Sequence, residues 1–230
     1  MPDARPTSST FADRAYAFYS RLRAPKVPAG VEVMHPYRTA RVRAYLRQFL
    51  DKFYADNRER LLILGINPGR FGAGVTGITF TDPVAMTDFC GIPNHLPRRR
   101  ELSSVFVFDV VQHLGGPERF FARYFLSAIC PLGFTKGGVN MNYYDDPKLA
   151  RAVTPFIVDT LRRQIALGCR TDFAVILGRG TNFKFIQRLN EEHRFFGELR
   201  GLDHPRFIMQ YRRKKHAEYL RAYEQTLAGA

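Results

Sequence analysis

The 230-residue sequence contains no tryptophan, only three cysteines and no long apolar run. Cys90, Cys130 and Cys169 lie far apart and form no CxxC pair, which excludes a disulfide scaffold and argues against a zinc or iron–sulfur site. No stretch approaches the roughly 18 apolar residues of a transmembrane helix. The N-terminal segment MPDARPTSSTFADR lacks the apolar core of a secretory signal. These absences predict a protein of a reducing, cytoplasmic compartment.

Acidic residues are also scarce relative to basic ones. Lysine and arginine total 35 against 21 aspartates and glutamates, which gives a formal net charge of +14. Such a surplus argues for a polyanionic partner, either nucleic acid or an anionic membrane face, and of the two we expect nucleic acid. A hydrophobic content of 45% excludes a wholly disordered chain.

Short apolar runs alternate with helical periodicity along the chain. The spacing of apolar residues predicts amphipathic helices over 11–22, 38–54 and 153–165. Strand–helix–strand repetition implies parallel pairing, whereas the segment 103–114 reads equally well as strand or helix. The runs that predict buried strands are LLILG at 61–65, FLSAICPL at 125–132, FAVILG at 173–178 and GELRGLDHP at 197–205.

No repeat, low-complexity tract or linker divides this pattern. We therefore expect one α/β domain over residues 31–230. Residues 1–30 precede it as an N-terminal extension that is partly helical and ends in proline-containing tails.

A glycine-rich segment, GINPGRFGAGVTGITFTDP at 65–83, follows the first predicted strand. Ligands of open parallel sheets bind beyond the carboxyl ends of the strands, and glycine lets backbone amides approach a substrate closely. The spacing matches neither GxGxxG nor GxxxxGK[ST], so the dinucleotide and phosphate-loop interpretations are weak. Taken alone, the segment is equally consistent with a tight structural turn.

The string Gly65-Ile66-Asn67-Pro68-Gly69-Arg70-Phe71-Gly72, followed by Thr76-Gly77 and Phe80, resembles motif 1 of the uracil-DNA glycosylase superfamily. Its single-strand-selective monofunctional branch is the most similar. The resemblance continues in order at Cys130-Pro131-Leu132 with Phe134, at Val175–Gly178 and at His204-Pro205. It implies a three-layer α/β/α fold with a central four-stranded, mostly parallel sheet. It also implies an enzyme that extrudes a base from DNA and hydrolyses its glycosidic bond.

The resemblance assigns roles to individual residues. Asn67 corresponds to the residue that positions the attacking water, and His204 to the donor that stabilises the departing base. Phe80 corresponds to the aromatic that stacks on the flipped base, and Ile66 and Gly69 to base-binding positions, with Gly69 implying tolerance of 5-modified uracils. Without the resemblance, Asn67 is best interpreted as a residue that caps the Pro68 turn. His204 would then have a structural role, and Phe80 would be a residue of the hydrophobic core.

One departure from the family pattern concerns the substrate. Ala128 stands where the family places an asparagine that reads the uracil edge, and a methyl group cannot form a hydrogen bond. Ser127, Asn140 or Asn142 are candidates to replace it. Alternatively, the pocket reads another deaminated base, such as xanthine or hypoxanthine.

A second departure follows His204, where the chain is basic. Arg206 or Phe207 is the candidate wedge that fills the gap left by a flipped nucleotide. The run of Arg212, Arg213, Lys214 and Lys215 is predicted to begin a helix and to contact phosphates, against the alternative of a solvated face. The segment Arg98–Arg100 is equally consistent with a contact to the DNA phosphate backbone and with a solvated loop. Lys136 is only a weak candidate for an imine-forming nucleophile.

The sequence therefore predicts a monofunctional DNA glycosylase of base excision repair that acts as a monomer on DNA containing uracil or a related deaminated base, without metal or cofactor. Two alternatives stay open. One is a non-catalytic nucleic-acid-binding protein on the same fold, and the other is a small-molecule α/β enzyme that uses the glycine loop for a phosphate.

Overall fold

The computed structural model describes residues 9–228, so the first eight residues of the predicted extension lie outside the described part. The strands are β1 (Val31–Met34), β2 (Leu61–Gly65), β3 (Tyr124–Ala128), β4 (Gly133–Lys136), β5 (Val139–Met141), β6 (Phe173–Leu177) and β7 (Glu198–Leu202). The α-helices are α1 (Phe11–Ser20), α2 (Ala40–Tyr54), α3 (Ala73–Thr76), α4 (Pro83–Asp88), α5 (Leu102–His113), α6 (Pro117–Arg123), α7 (Pro147–Ile165), α8 (Thr181–His193), α9 (Pro205–Tyr211) and α10 (His216–Ala228). Short 3-10 turns occupy Pro36–Arg38 and Arg213–Lys215.

Four strands form a wholly parallel sheet in the order β3-β2-β6-β7. Strands β2, β3 and β6 are buried along their whole length, which explains why they occur in the sequence as continuous apolar runs. Helix α1 contacts α2 and α7, whereas α5 contacts α9 and α10. The predicted three-layer α/β/α architecture is confirmed.

A second, antiparallel sheet in the order β1-β4-β5 was not predicted from the sequence. Its strands have only three or four residues, and none of the three residues of β5 is fully buried, so no apolar run marks them. Gly137 and Gly138, with φ angles of 55° and 72°, form the β4–β5 turn, where glycine adopts a left-handed conformation without steric cost. This hairpin carries Asn140 to the end of the central sheet.

The ambiguous segment 103–114 forms helix α5, which spans Leu102–His113. Most of its residues are buried, including adjacent positions such as Phe106, Val107 and Phe108. A helix buried on nearly all sides has no polar stripe, so its hydrophobic pattern loses the 3.6-residue period.

The helical part of the N-terminal extension packs into the common core. Thr10 and Asp13 form a capping box that begins α1, and such a cap contributes about 1 kcal/mol. Phe11 is fully buried and packs edge-on against Phe125 of β3. Among the described residues, no helix is long and apolar enough to cross a bilayer.

Candidate active site

A cavity of about 100 Å³, open to solvent, lies where β2 and β3 end. The carboxyl edge of a parallel sheet is the usual place for ligands in such folds. The lining brings together side chains from five separate segments of the chain, among them Asn67, Phe80, Glu101, Ala128, Asn140 and His204. The predicted base-binding residues Ile66 and Gly69 also line it.

The backbone at the end of β5 and just beyond it fixes the side chain of Asn67. Its Nδ2 donates to the carbonyl oxygen of Met141 at 3.1 Å, and its Oδ1 accepts from the amide of Tyr143 at 3.0 Å. These partners are 74 and 76 positions away, whereas the contact with Pro68 in its own turn is longer, at 3.4 Å. A carbonyl oxygen has two lone pairs, so Oδ1 keeps one that can hold a water molecule.

The ring of Phe80 rests on the backbone at the end of β2. A Cβ atom on Gly65 would lie 2.6 Å from two carbons of this ring, so only glycine permits the approach. Phe80 has a φ of 53°, a left-handed conformation that is uncommon for a bulky residue and often occurs at functional sites. Its ring is half-buried, and its centroid lies 5.8 Å from that of His204.

His204 is the N-cap residue of α9, and its Nδ1 accepts a hydrogen bond from the amide of Arg206 at 3.2 Å. An accepting Nδ1 carries no proton, so in the neutral ring the proton is on Nε2, which is a donor. Burial, and secondly the nearby Arg206 guanidinium, lower the pKa of His204 to about 4. At neutral pH, His204 is therefore an uncharged hydrogen-bond donor.

The candidates for the missing asparagine differ in position. Ser127 is fully buried and bonded to the Tyr19 hydroxyl at 2.9 Å and to the Gln164 side chain. It does not line the cavity, so the interpretation of Ser127 as a base-reading residue is wrong. Its side chain leaves β3 on the face opposite that of Ala128, as successive strand residues do.

Asn140 does line the cavity, and its Oδ1 is buried without a hydrogen-bond partner among residues 9–228. Asn142 also lines it, but its amide donates to Asp145 at 3.2 Å. Asn140 is thus the polar side chain with free hydrogen-bonding capacity near Ala128.

Glu101, a cavity residue that the sequence reasoning missed, lies outside every recognised motif. A Cβ on Gly69 would be 2.9 Å from its Oε1, and a Cβ on Gly72 would overlap its Oε2. The carboxyl group therefore lies in the space that these two glycines leave open. Burial, followed by the charge of Asp82, raises the pKa of Glu101, and Arg206 partly opposes this rise. In the sequence, Glu101 is inconspicuous because it directly follows Arg98–Arg100.

The basic segment after His204 forms an exposed surface beside the cavity. Arg206 lines the cavity mouth and is exposed. Phe207 and Tyr211 are 38% and 60% exposed, with ring centroids 5.6 Å apart, and Arg212 lies over the Phe207 ring at 5.2 Å. Arg213, Lys214 and Lys215 form an exposed 3-10 turn directly before α10.

The other basic candidates have local partners or lie elsewhere. Arg98 and Arg100 lie 3.5 Å and 3.7 Å from Asp88 carboxylate oxygens, and the Arg99 guanidinium lies 3.4 Å from the Phe71 ring centroid. Lys136 is exposed and does not line the cavity. Within residues 9–228, no three His, Cys, Asp or Glu side chains are grouped to hold a metal ion.

Comparison with known proteins places this site in a family. Residues 52–228 match the uracil DNA glycosylase superfamily. The chain is 31% identical over 133 residues to the single-strand selective monofunctional uracil-DNA glycosylase of Rattus norvegicus, which covers 50% of this chain and 48% of the rat protein. It is 30% identical over 96 residues to the Bos taurus protein of the same name, covering 34% and 35%. The chain thus spans about half, or less, of the length of these curated relatives.

A solved structure covers nearly the whole chain. The crystal structure of wild-type Pedobacter heparinus SMUG2 is similar with a TM-score of 0.93 and 39% sequence identity, over 96% of this chain and 97% of that one. The match to the family extends over more than half of the sequence and includes Asn67, Phe80 and His204. The protein belongs to the uracil-DNA glycosylase superfamily, in its SMUG-like branch.

Proposed function

We propose that the protein is a monofunctional DNA glycosylase that extrudes uracil or a related deaminated base from DNA and hydrolyses its N-glycosidic bond. One observation carries the proposal: a single cavity contains the fixed amide of Asn67, the exposed face of Phe80 and the uncharged donor of His204. Glycosidic hydrolysis needs an oriented water, a surface for the base and a donor for the leaving group, and these residues are suited to supply them. The names of the curated relatives support the same activity.

In the proposed reaction, the bond between C1′ and the base nitrogen breaks, and its electron pair goes to the base. The Nε2–H of His204 stabilises the negative charge that develops on the base oxygen, and one such donor contributes on the order of 10²–10³ in rate. The water held by Asn67 Oδ1 adds to the electron-deficient C1′ and releases its proton to solvent. Because the sugar is oxocarbenium-like at this point, an orienting amide is sufficient and a strong base is not required.

The partner is proposed to be DNA, single- or double-stranded, bound by a monomer. The exposed cationic segment Arg206–Lys215 is adjacent to the cavity mouth through Arg206. Phosphate contacts from such a segment make binding salt-dependent, and the exposed ring of Phe207 is suited to insert where the flipped nucleotide leaves the stack.

The test is base release from oligonucleotides that contain a single uracil, xanthine or hypoxanthine, followed by alkaline cleavage of abasic sites. Asn67→Ala is expected to lower the release rate by about 10²–10³-fold, because the water loses its orientation. Gln112→Ala removes an amide from the exposed face of α5 and serves as the control that leaves the rate unchanged.

The outcomes separate the alternatives. Release of xanthine or hypoxanthine in preference to uracil would keep the enzyme class and change the substrate. Salt-sensitive DNA binding without release of any base would contradict the enzyme proposal. It would favour the non-catalytic alternative, for which Ala128 at the cavity wall is the specific observation.

A further inference from the structure

The partners that orient the Asn67 side chain lie at the end of β5 and in the turn that follows it. Asn67 Nδ2 donates to the carbonyl oxygen of Met141, the last residue of β5, and Oδ1 accepts from the amide of Tyr143 in the turn. One partner is an acceptor and the other a donor, so together they determine which end of the amide is the oxygen. The position of Oδ1 therefore depends on the position of the Tyr143 backbone.

The side chain of Tyr143 anchors this turn in the core. The residue is fully buried, and its ring packs edge-on against Phe185 of α8, with ring centroids 4.8 Å apart. Its hydroxyl donates to Oδ1 of Asn182 at 2.7 Å. Burial raises the pKa of Tyr143 well above its usual range, so the hydroxyl keeps its proton and remains a donor.

Asn182 connects this anchor to the central sheet. It is the second residue of α8 and is 1% exposed. Its Nδ2 donates to the carbonyl oxygen of Leu177, the last residue of β6, at 3.1 Å. Because β6 is buried along its whole length, Asn182 is bound to a well-packed part of the fold.

These contacts form one chain from β6 to the cavity. The chain begins at the β6 carbonyl that binds Asn182, continues through the side chain of Tyr143 to its amide, and ends at Asn67 Oδ1. Neither Tyr143 nor Asn182 lines the cavity, so their side chains lie behind the site and not against a bound base. Hydrogen bonds behind a reactive group hold it within the roughly 0.5 Å that a functional site requires.

We propose that Tyr143 and Asn182 are positioning residues, which hold Asn67 Oδ1 where it orients the attacking water. The inference rests on the proposed function and adds to it two residues that lie outside every recognised sequence motif. Their effect is on the chemical step, because a displaced Oδ1 misplaces the water while Phe80 and His204 stay where they are. A misplacement of about 1 Å costs on the order of 10²-fold in rate.

The first experiment measures the single-turnover rate of uracil release. Tyr143→Phe deletes the hydroxyl and keeps the ring, and it is expected to lower this rate about 10–100-fold. Asn182→Ala removes the acceptor of the same hydrogen bond and is expected to act in the same way. Tyr124→Phe is the matched control, because it deletes a hydroxyl that donates to the Leu227 carbonyl at 3.1 Å and does not line the cavity. This control is expected to leave the rate unchanged.

Binding is measured in parallel, as Kd for an oligonucleotide that contains 2′-fluoro-2′-deoxyuridine. The electron-withdrawing fluorine suppresses cleavage, so the complex is stable during the measurement. Tyr143→Phe and Asn182→Ala are expected to leave Kd unchanged, since neither residue lines the cavity. A loss that appears in Kd instead of in the rate would contradict a role in positioning the water.

A double-mutant cycle separates positioning from a general loss of structure. If Tyr143 acts only through Asn67, then Tyr143→Phe has no further effect once the amide is absent. Asn67→Ala and the double variant with Tyr143→Phe are therefore expected to release uracil at the same rate. An equal loss in both backgrounds would overturn the proposal, because it would show that Tyr143 affects the rate without Asn67.

A third measurement does not depend on base release. The side-chain N–H signals of Asn67 are identified by NMR as the amide signals that disappear in Asn67→Ala. Exchange of these protons with solvent is expected to be about tenfold faster in Tyr143→Phe and in Asn182→Ala, because the local structure that protects them opens more readily. Tyr124→Phe is expected to leave the exchange unchanged.

The results distinguish the two proposals. Base release that neither Tyr143→Phe nor Asn182→Ala slows would overturn the positioning role and leave the glycosylase proposal intact. Faster exchange in both variants of a protein that releases no base would support the positioning of Asn67 and overturn the enzyme. If the wild type releases no base and exchange is unchanged in both variants, both proposals are wrong.

Discussion

Replacement of His204 tests the central chemical assignment of the site. We assign the residue two separable functions, because Nδ1 caps α9 by accepting from the Arg206 amide, which leaves Nε2–H as the donor for the cavity that His204 lines. His204→Ala removes both, whereas His204→Asn retains a side-chain oxygen that caps a helix well. We therefore expect His204→Asn to lower the rate of base release by about 10²–10³-fold, equivalent to ~3–4 kcal/mol, and to preserve most of the stability.

The pH dependence follows from the lowered pKa. In the folded state the pKa of His204 is about 4, against 6.5 for the unperturbed side chain. The unfolded state therefore binds more protons between these values, and the free energy of unfolding falls as the pH decreases from about 6.5 to about 4. The full shift corresponds to roughly 3 kcal/mol, and His204→Asn is expected to remove this contribution.

Single-turnover base release between pH 5 and 8 and urea unfolding at pH 7 and pH 4.5 measure the two effects. The variant His95→Asn, at an exposed position, is the control and should change neither. The wild-type rate of base release could instead change with an apparent pKa near 6.5, and this change could be absent in His204→Asn. That result would refute the assignment of His204 as an uncharged donor, because it would show that His204 titrates where an unperturbed histidine does. A His204→Asn rate within a few-fold of wild type would refute the catalytic role itself.

Further predictions concern the base platform, the buried serine and the basic run. Gly65→Ala places a methyl group against the Phe80 ring and is expected to lower kcat/KM for uracil release about tenfold, whereas Gly180→Ala, with open space around it, should leave it unchanged. Ser127→Ala leaves the buried Tyr19 hydroxyl without this partner, so chemical denaturation should show a loss of about 1–3 kcal/mol with base release unaffected; a selective loss of activity would contradict its placement outside the cavity. Neutralising residues 212–214 with glutamine should reduce the slope of log Kobs against log salt for duplex DNA by roughly 0.9 for each phosphate that the protein no longer neutralises. The charge-matched control for the last prediction neutralises Arg21, Arg23 and Lys26, which are exposed and do not line the cavity.

Much of the fold can be predicted because burial leaves a direct mark on the sequence. Strands β2 and β6 lie inside the parallel sheet and consist of apolar residues only, so their ends are predicted within one residue. Strand β3 ends at Ala128 instead of continuing to Leu132, because Ile129 and Cys130 are equally buried in the following bend. Burial can be inferred from a run of apolar residues, but the residue at which a buried strand ends cannot.

The residues of the site also differ in how well the sequence predicts them. Asn67, Phe80 and His204 belong to local strings whose resemblance to a family can be recognised one motif at a time. The position of Asn140 depends on the β4–β5 hairpin, and the mistake over Ser127 arose because adjacent strand residues point to opposite faces. Glu101 reaches the cavity through a contact with Gly69 and Gly72, some 30 residues earlier in the chain. Its position follows from tertiary packing and from no pattern in its own neighbourhood.

The arrangement of charge also has a chemical consequence. Glu101 lines the same cavity as His204, and burial and the charge of Asp82 raise its pKa. Arg206 lies at the mouth of this cavity and lowers the pKa values of both Glu101 and His204. Its positive charge therefore favours the ionised form of Glu101 and the neutral form of His204. Arg206 belongs both to the exposed cationic segment and to the cavity lining, so the proposed DNA contact and the proposed chemistry of the base meet at this residue.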